Sequence, residues 1–195
     1  MRLFVALYPS AEAVDDVVAQ VGRLRVGELA ARGINVRLTR PENLHVTLAF
    51  LGEVDDDRLP EVTAALDRAA QSWKGGAARA NDPPQVRLAG GGRFGRGRFT
   101  VLWTGLTGDV DALHALSRAV RRELRRGRLP YDNKRFRPHL TIARPGDRID
   151  WDDIFLDLST LDGYLGPSWP VTEMVLVRSH LGPRPWYDRL ATWSL

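Results

Sequence analysis

The sequence predicts an α+β fold of two similar lobes, with two mainly antiparallel sheets lining a central cleft and helices on the outside. Three observations predict it. Strand-like and helix-like segments are mixed without the regular strand–helix–strand alternation of a parallel sheet. A short pattern occurs twice, HVTLA from His45 and HLTIA from His139, 94 positions apart and so close to half the chain. And 195 residues, 44% hydrophobic and 27% charged, supply enough core for one compact domain spanning 1–195.

Taken in order, RLFVALY is a strand rich in β-formers. Ser10 is placed to cap a helix whose Val14, Val17, Val18, Val21 and Leu24 recur at helical spacing, with Gly33 as its end. INVRLT leads into the strand NLHVTLAFLGEV. A second helix is expected from about Asp56, with Leu59, Val62, Leu66, Ala69 and Trp73 on one face. KGGAARANDPP is a loop by its Gly and Pro content. QVRLAG and RFTVLWTGL are strands, joined by GGGRFGRG as a mobile hairpin at the cleft rim. That glycine run is a poor phosphate loop, because such loops open a helix and this one opens a strand. DVDALHALSRAVRREL is an amphipathic helix burying Leu113, Leu116, Val120 and Leu124. RLPYDNKRFRP is a loop before HLTIAR, a helical stretch is expected near Trp151 to Leu161, and VTEMVLVRSHL and WYDRLATWSL close the chain as strands.

The net charge is only +4, but it is uneven. Arg121, Arg122, Arg125, Arg126 and Arg128 are followed by Lys134, Arg135, Arg137, Arg144 and Arg148, while acidic residues gather in EVDDDRLPE and DRIDWDDIFLD. A basic half suits a polyanion such as nucleic acid. It suits a solvated arginine-rich surface equally well, since Lys74 and Lys134 are the only lysines. With no cysteine, disulfides and thiolate metal sites are excluded. The opening MRLFVALYPSAEAVDD turns acidic too soon for a signal peptide, and no run is long enough to span a bilayer. A cytoplasmic location without membrane association is expected.

The repeated pattern carries the chemistry. Strand side chains alternate, so Leu44, Val46 and Leu48 form a core face, while His45, Thr47 and Ala49 share the other. The second copy sets Leu140 and Ile142 against His139, Thr141 and Ala143. One such histidine is usually a structural residue; two copies with matched faces are not incidental. Two facing strands would present two histidines and two hydroxyls to one cleft, with Ala49 and Ala143 leaving room at its floor. A histidine pair can serve as acid and base near neutral pH, and threonine hydroxyls can hold phosphate oxygens. A phosphodiester is the substrate this set suits. Zinc wants three or four ligands, and each strand supplies one histidine without a carboxylate beside it, so no metal and no other cofactor is expected.

The chain resembles the 2H phosphoesterases, and within them the RNA 2′,3′-cyclic phosphodiesterases, also called 2′-5′ RNA ligases. The resemblance runs through RLFVALYPS, RPENLHVTLAFLGEV, VLWTGL, FRPHLTIAR and LVRSHLGP with Tyr187. It implies a bilobal fold with pseudo-two-fold symmetry and the active site between the lobes. It also implies that His45 is the proton donor to the leaving 3′ oxygen and His139 the proton acceptor that activates water, that Thr47 and Thr141 grip the phosphate, and that Arg144 is the basic residue of the motif PHxTxxR. The implied product is a 2′-phosphate end, and the reverse reaction a weak, ATP-independent 2′-5′ ligation. The expected partner is RNA with a 2′,3′-cyclic phosphate end or a small cyclic nucleotide, bound by a monomer. A relative specialised for 2′-5′ linkages or small cyclic nucleotides and a non-catalytic RNA-end-binding module are the alternatives. Candidate RNA contacts are Arg40 and Arg137 beside the motifs, and Phe94, Tyr131, Phe136 and Trp186 as stacking surfaces. His114, within an amphipathic helix, reads as structural; His180 reads as a turn residue or part of the site's rim.

Overall fold

The computed structural model describes residues 1–73, 82–182 and 185–195. Its elements are β1 (Arg2–Leu7), α1 (Ala11–Gly22), α2 (Arg25–Ala31), β2 (Val46–Glu53), α3 (Leu59–Ser72), β3 (Gln85–Phe94), β4 (Val101–Gly108), α4 (Val110–Arg126), β5 (His139–Ala143), α5 (Trp151–Asp162), β6 (Leu165–Pro170), β7 (Glu173–His180) and β8 (Trp186–Ser194). The fold is α+β, as expected. The loop anticipated over residues 74–84 lies largely outside the described residues.

The two expected sheets are one. Eight strands run in the order β6-β3-β4-β5-β2-β1-β7-β8, every neighbouring pair antiparallel. The four strands of each half meet along β2 and β5, where the paired register is only Val46 opposite Leu140. Two separate sheets would have left the inner edges of β2 and β5 with unpaired backbone groups inside the molecule, and pairing them removes that cost. The pseudo-symmetry is visible in the connections: β1, α1 with α2, β2 and α3 on one side correspond to β4, α4, β5 and α5 on the other.

All five helices contribute to the main core, on one face of the sheet. Helices α1, α2 and α5 lie toward β3 and β6, and α3 and α4 toward β2 and β8. Leu113, Leu116, Val120 and Leu124 of α4 are buried as the periodicity predicted. On the opposite face a small cluster of Phe4, Ala6, Val175 and Val177 is joined by Tyr8, Phe50 and Tyr187. The functional residues stand on that face.

Three local readings change. The helix after Ser10 is two helices, and Gly33 ends the second, in the left-handed region at φ 86°. Ser10 does cap the first, accepting from the Ala13 amide at 3.2 Å. The break is held by Asp157 of α5, whose carboxylate accepts from the amides of Arg25 (2.6 Å) and Val26 (3.1 Å) and so caps α2 from outside its own sequence. Next, β6 was not anticipated. It is an edge strand of sequence LGPSWP, where the missing proline amides are tolerated but erase the strand signal.

Finally, GGGRFGRG is not all hairpin. Gly90, Gly91 and Gly92 lie inside β3, and the turn comes after Phe94. A Cβ on Gly91 would meet Leu161 of α5 at 2.5 Å, and one on Gly92 would meet the Trp103 ring at 2.2 Å. These glycines let a helix and an indole approach the strand closely. Gly92→Ala should therefore overpack this wall, costing about 1–3 kcal/mol. Thermal unfolding would register that as a Tm several degrees lower, and an unchanged Tm would refute the packing argument.

Candidate active site

In each motif copy the histidine is set by the chain just before it. Pro41–Asn43 forms a 3-10 turn ahead of β2. The turn is tied across the molecule where Arg40 Nη2 (2.7 Å) and Asn43 Nδ2 (3.1 Å) donate to the Pro185 carbonyl. The Asn43 carbonyl then accepts from His45 Nδ1 at 2.7 Å. In the second copy the Arg137 carbonyl accepts from His139 Nδ1 at 2.6 Å. A carbonyl can only accept, so in both rings Nδ1 carries the proton and Nε2 is the nitrogen left to exchange one.

The sheet register brings the copies together. Pairing Val46 with Leu140 sets His45 across from Thr141 and Thr47 across from His139. All four line one cavity of about 410 Å3 with Arg144. Neither threonine hydroxyl is engaged by another of the described residues, so both are available to a ligand.

Ala49 and Ala143 are not at the floor of this cavity. Both are buried in the main core. In the β1–β2 ladder Val5 pairs with Ala49 and Ala6 with Thr47, leaving Leu48 as an extra residue; in the β4–β5 ladder Leu102 pairs with Ala143 and Trp103 with Thr141, leaving Ile142 extra. The same β-bulge thus follows both threonines and reverses the alternation after them. It turns Phe50 into the cavity in one copy and Arg144 in the other.

Aromatic rings fix both imidazoles. Phe4 stacks on His45 at 4.8 Å between centroids, and Tyr187 meets it edge-on at 5.4 Å. Phe94 meets His139 edge-on at 4.9 Å, with Trp103 at 5.9 Å. Phe94 is thus brought to the site, and Phe4, Phe50 and Arg2 line the cavity although the repeated pattern gives no sign of them. Burial pushes the His45 pKa down to about 4 against the opposing pull of the Asn43 carbonyl, and the charges of His139 and Arg144 add to the lowering. Burial also lowers His139, with Arg144 again adding. The cavity is an electropositive one that favours neutral imidazoles until an anion enters.

Other candidates lie elsewhere. Arg40 pairs with Glu42 at 3.2 Å besides holding Pro185, and the Arg137 side chain is exposed. Tyr131 and Phe136 pack against the main core, Phe136 edge-on to His114 at 5.1 Å. His180 is in β7 rather than in a turn. Its Nε2 donates to the Asp188 carboxylate at 2.8 Å, and the ring stacks on Trp186 at 3.6 Å. Among the described residues no three His, Cys, Asp or Glu side chains form a group that could hold a metal ion, and no helix is long and apolar enough to cross a membrane.

Comparison with known proteins identifies the family. A family model described as the 2′-5′ RNA ligase superfamily matches residues 13–183. The chain belongs to that superfamily. An RNA 2′,3′-cyclic phosphodiesterase of Thermus thermophilus is 30% identical over 165 residues, covering 80% of this chain and 73% of that protein. One of Archaeoglobus fulgidus is 32% identical over 146 residues, covering 74% and 72%. A crystal structure of a Thermus thermophilus protein superposes with a TM-score of 0.73 at 28% identity, over 100% of this chain and 98% of the other. Escherichia coli LigT complexed with 3′-AMP superposes at 0.67 with 26% identity, over 100% and 96%.

Proposed function

We propose that this superfamily member hydrolyses RNA 2′,3′-cyclic phosphate ends to 2′-phosphomonoesters, without a metal, by a two-histidine acid–base mechanism. The observation that carries the reading is the convergence of both motif copies on one cavity, each histidine with Nδ1 engaged and Nε2 free, each facing the other copy's threonine. The relatives named RNA 2′,3′-cyclic phosphodiesterases support the substrate class.

In the proposed reaction Thr47, Thr141 and Arg144 hold the non-bridging phosphate oxygens and stabilise the charge that builds on them. His139 Nε2 takes a proton from water as its oxygen attacks phosphorus. His45 Nε2, charged once the anionic phosphate sits beside it, gives its proton to the departing 3′ oxygen, leaving the phosphate on 2′. With a 5′-hydroxyl in place of water as the attacking group, the same residues join a cyclic end as a 2′-5′ linkage, a weak ligase activity that needs no ATP because the cyclic ester is strained. The chain acts as a monomer, since one chain supplies both halves of the site.

The test is hydrolysis of a short oligonucleotide ending in a 2′,3′-cyclic phosphate in excess EDTA, with the product phosphate located. A 2′-phosphate is expected. A 3′-phosphate product would reverse the assignment of the leaving oxygen, and turnover abolished by EDTA would overturn metal independence. Turnover of 2′-5′ linkages or small cyclic nucleotides in its place would favour the specialised-relative alternative, and tight binding without turnover the non-catalytic one.

A further inference from the structure

A second cavity lies behind one wall of the first. It encloses about 400 Å3 and is lined by Arg93, Arg96, Gly146, Ile149, Trp151 and Ile154, among others. The wall is shared at two places. Phe94 of β3 packs on His139, whereas its neighbour Arg93 turns to the opposite face, where its guanidinium lies 4.6 Å over the Trp151 ring. Arg144 lines the catalytic cavity, and Gly146, two residues on, lines the second.

Arginines connect the two. Arg37 Nε donates to the Arg144 carbonyl at 3.0 Å. A Cβ on Gly146 would stand 3.6 Å from the Arg37 guanidinium and 3.9 Å from that of Arg148. Among the described residues none of Arg37, Arg93, Arg96, Arg144 and Arg148 has an ion-pair partner, although Asp147 and Asp150 stand on the same loop; Arg25, Arg58, Arg68 and Arg189 elsewhere are paired. Unpaired guanidinium groups along a path suit phosphates. Trp151, 54% exposed, together with Ile149 and Ile154, offers a nucleobase an apolar surface in a cavity of nucleotide size.

We propose that this cavity is a subsite for a nucleotide upstream of the reacting 3′ end, reached past Arg144, Arg37 and Arg148, so that the preferred substrate is an RNA chain rather than a cyclic mononucleotide. The inference rests on reading the first cavity as the site for the cyclic end.

Trp151→Ala and Arg96→Ala test it, each compared with the unaltered protein on a tetranucleotide 2′,3′-cyclic phosphate and on a 2′,3′-cyclic mononucleotide. Each variant should lose about tenfold in kcat/KM on the tetranucleotide, mainly through KM, and nothing on the mononucleotide. Arg96→Ala should also flatten the dependence of log affinity on log salt by about 0.7 for the lost phosphate contact. Equal losses on both substrates, or none on the tetranucleotide, would overturn the subsite. If the unaltered protein turns over neither substrate, the reaction assigned to the first cavity fails. The subsite is then judged by fluorescence anisotropy of a labelled tetranucleotide bearing a 2′-phosphate: weaker binding by the variants sustains it, and unchanged binding refutes it.

Discussion

Alanine at His45 or at His139 is expected to lower kcat on an oligonucleotide 2′,3′-cyclic phosphate by about 10²- to 10⁴-fold, the usual contribution of a positioned acid or base. KM should change little, because Thr47, Thr141 and Arg144 remain to hold the phosphate. The double variant should fall scarcely below the poorer single one, since both histidines act on one displacement and their effects are not additive. An activated aryl phosphodiester separates the roles. Its leaving oxygen needs no proton, so it should restore turnover to His45→Ala and not to His139→Ala. The opposite rescue would exchange donor and acceptor, and losses below tenfold in both variants would sink the acid–base reading. Because His45 is packed between Phe4 and Tyr187, His45→Gln serves as a second variant that fills the space without the titrating nitrogen.

The motif residues were legible in the sequence because a strand histidine and threonine, repeated with the same apolar partners, leave a pattern that period-two alternation exposes. What followed each threonine was not legible. The bulges at Leu48 and Ile142 are set by cross-strand pairing with β1 and β4, a non-local interaction that no local pattern encodes. They decide that Phe50 and Arg144, not the two alanines, enter the cavity. The α1–α2 break was hidden for a similar reason, its cap being Asp157 from 132 residues downstream of Arg25. Phe4 and Tyr187 were visible as strand residues, but both faces of β1 are apolar, so alternation could not say which face met the site. Joining the halves into one sheet likewise depends on the inner edges meeting, which the separate strand signals do not specify.

Protonation of His45 should cost the unliganded protein stability and increase its affinity for anions. Its pKa is about 4 in the folded chain against an ordinary 6.5. Below pH 6.5 the unfolded chain therefore takes up a proton that the folded chain refuses until about pH 4. Stability is whole above the ordinary value and is lost as pH falls through this window, by up to about 3 kcal/mol from this group alone. His139, lowered in the same direction, adds to the loss. An anion in the cavity reverses the field that burial, His139 and Arg144 impose, and restores the charged ring. Sulfate, which does not titrate in this range, should bind about tenfold more tightly for each pH unit between 6.5 and 4, reaching roughly 300-fold if His45 regains its ordinary pKa. His45→Gln should flatten most of that slope, leaving the share owed to His139. The same coupling predicts that the alkaline limb of kcat lies at higher pH than that of kcat/KM, because the first reports the complex and the second the free enzyme. Calorimetric titration of sulfate across this range, with the His45 ring followed by NMR, decides the matter. A sulfate affinity independent of pH would mean that the anion does not sit beside His45, and the donor role assigned to that ring would fall with it.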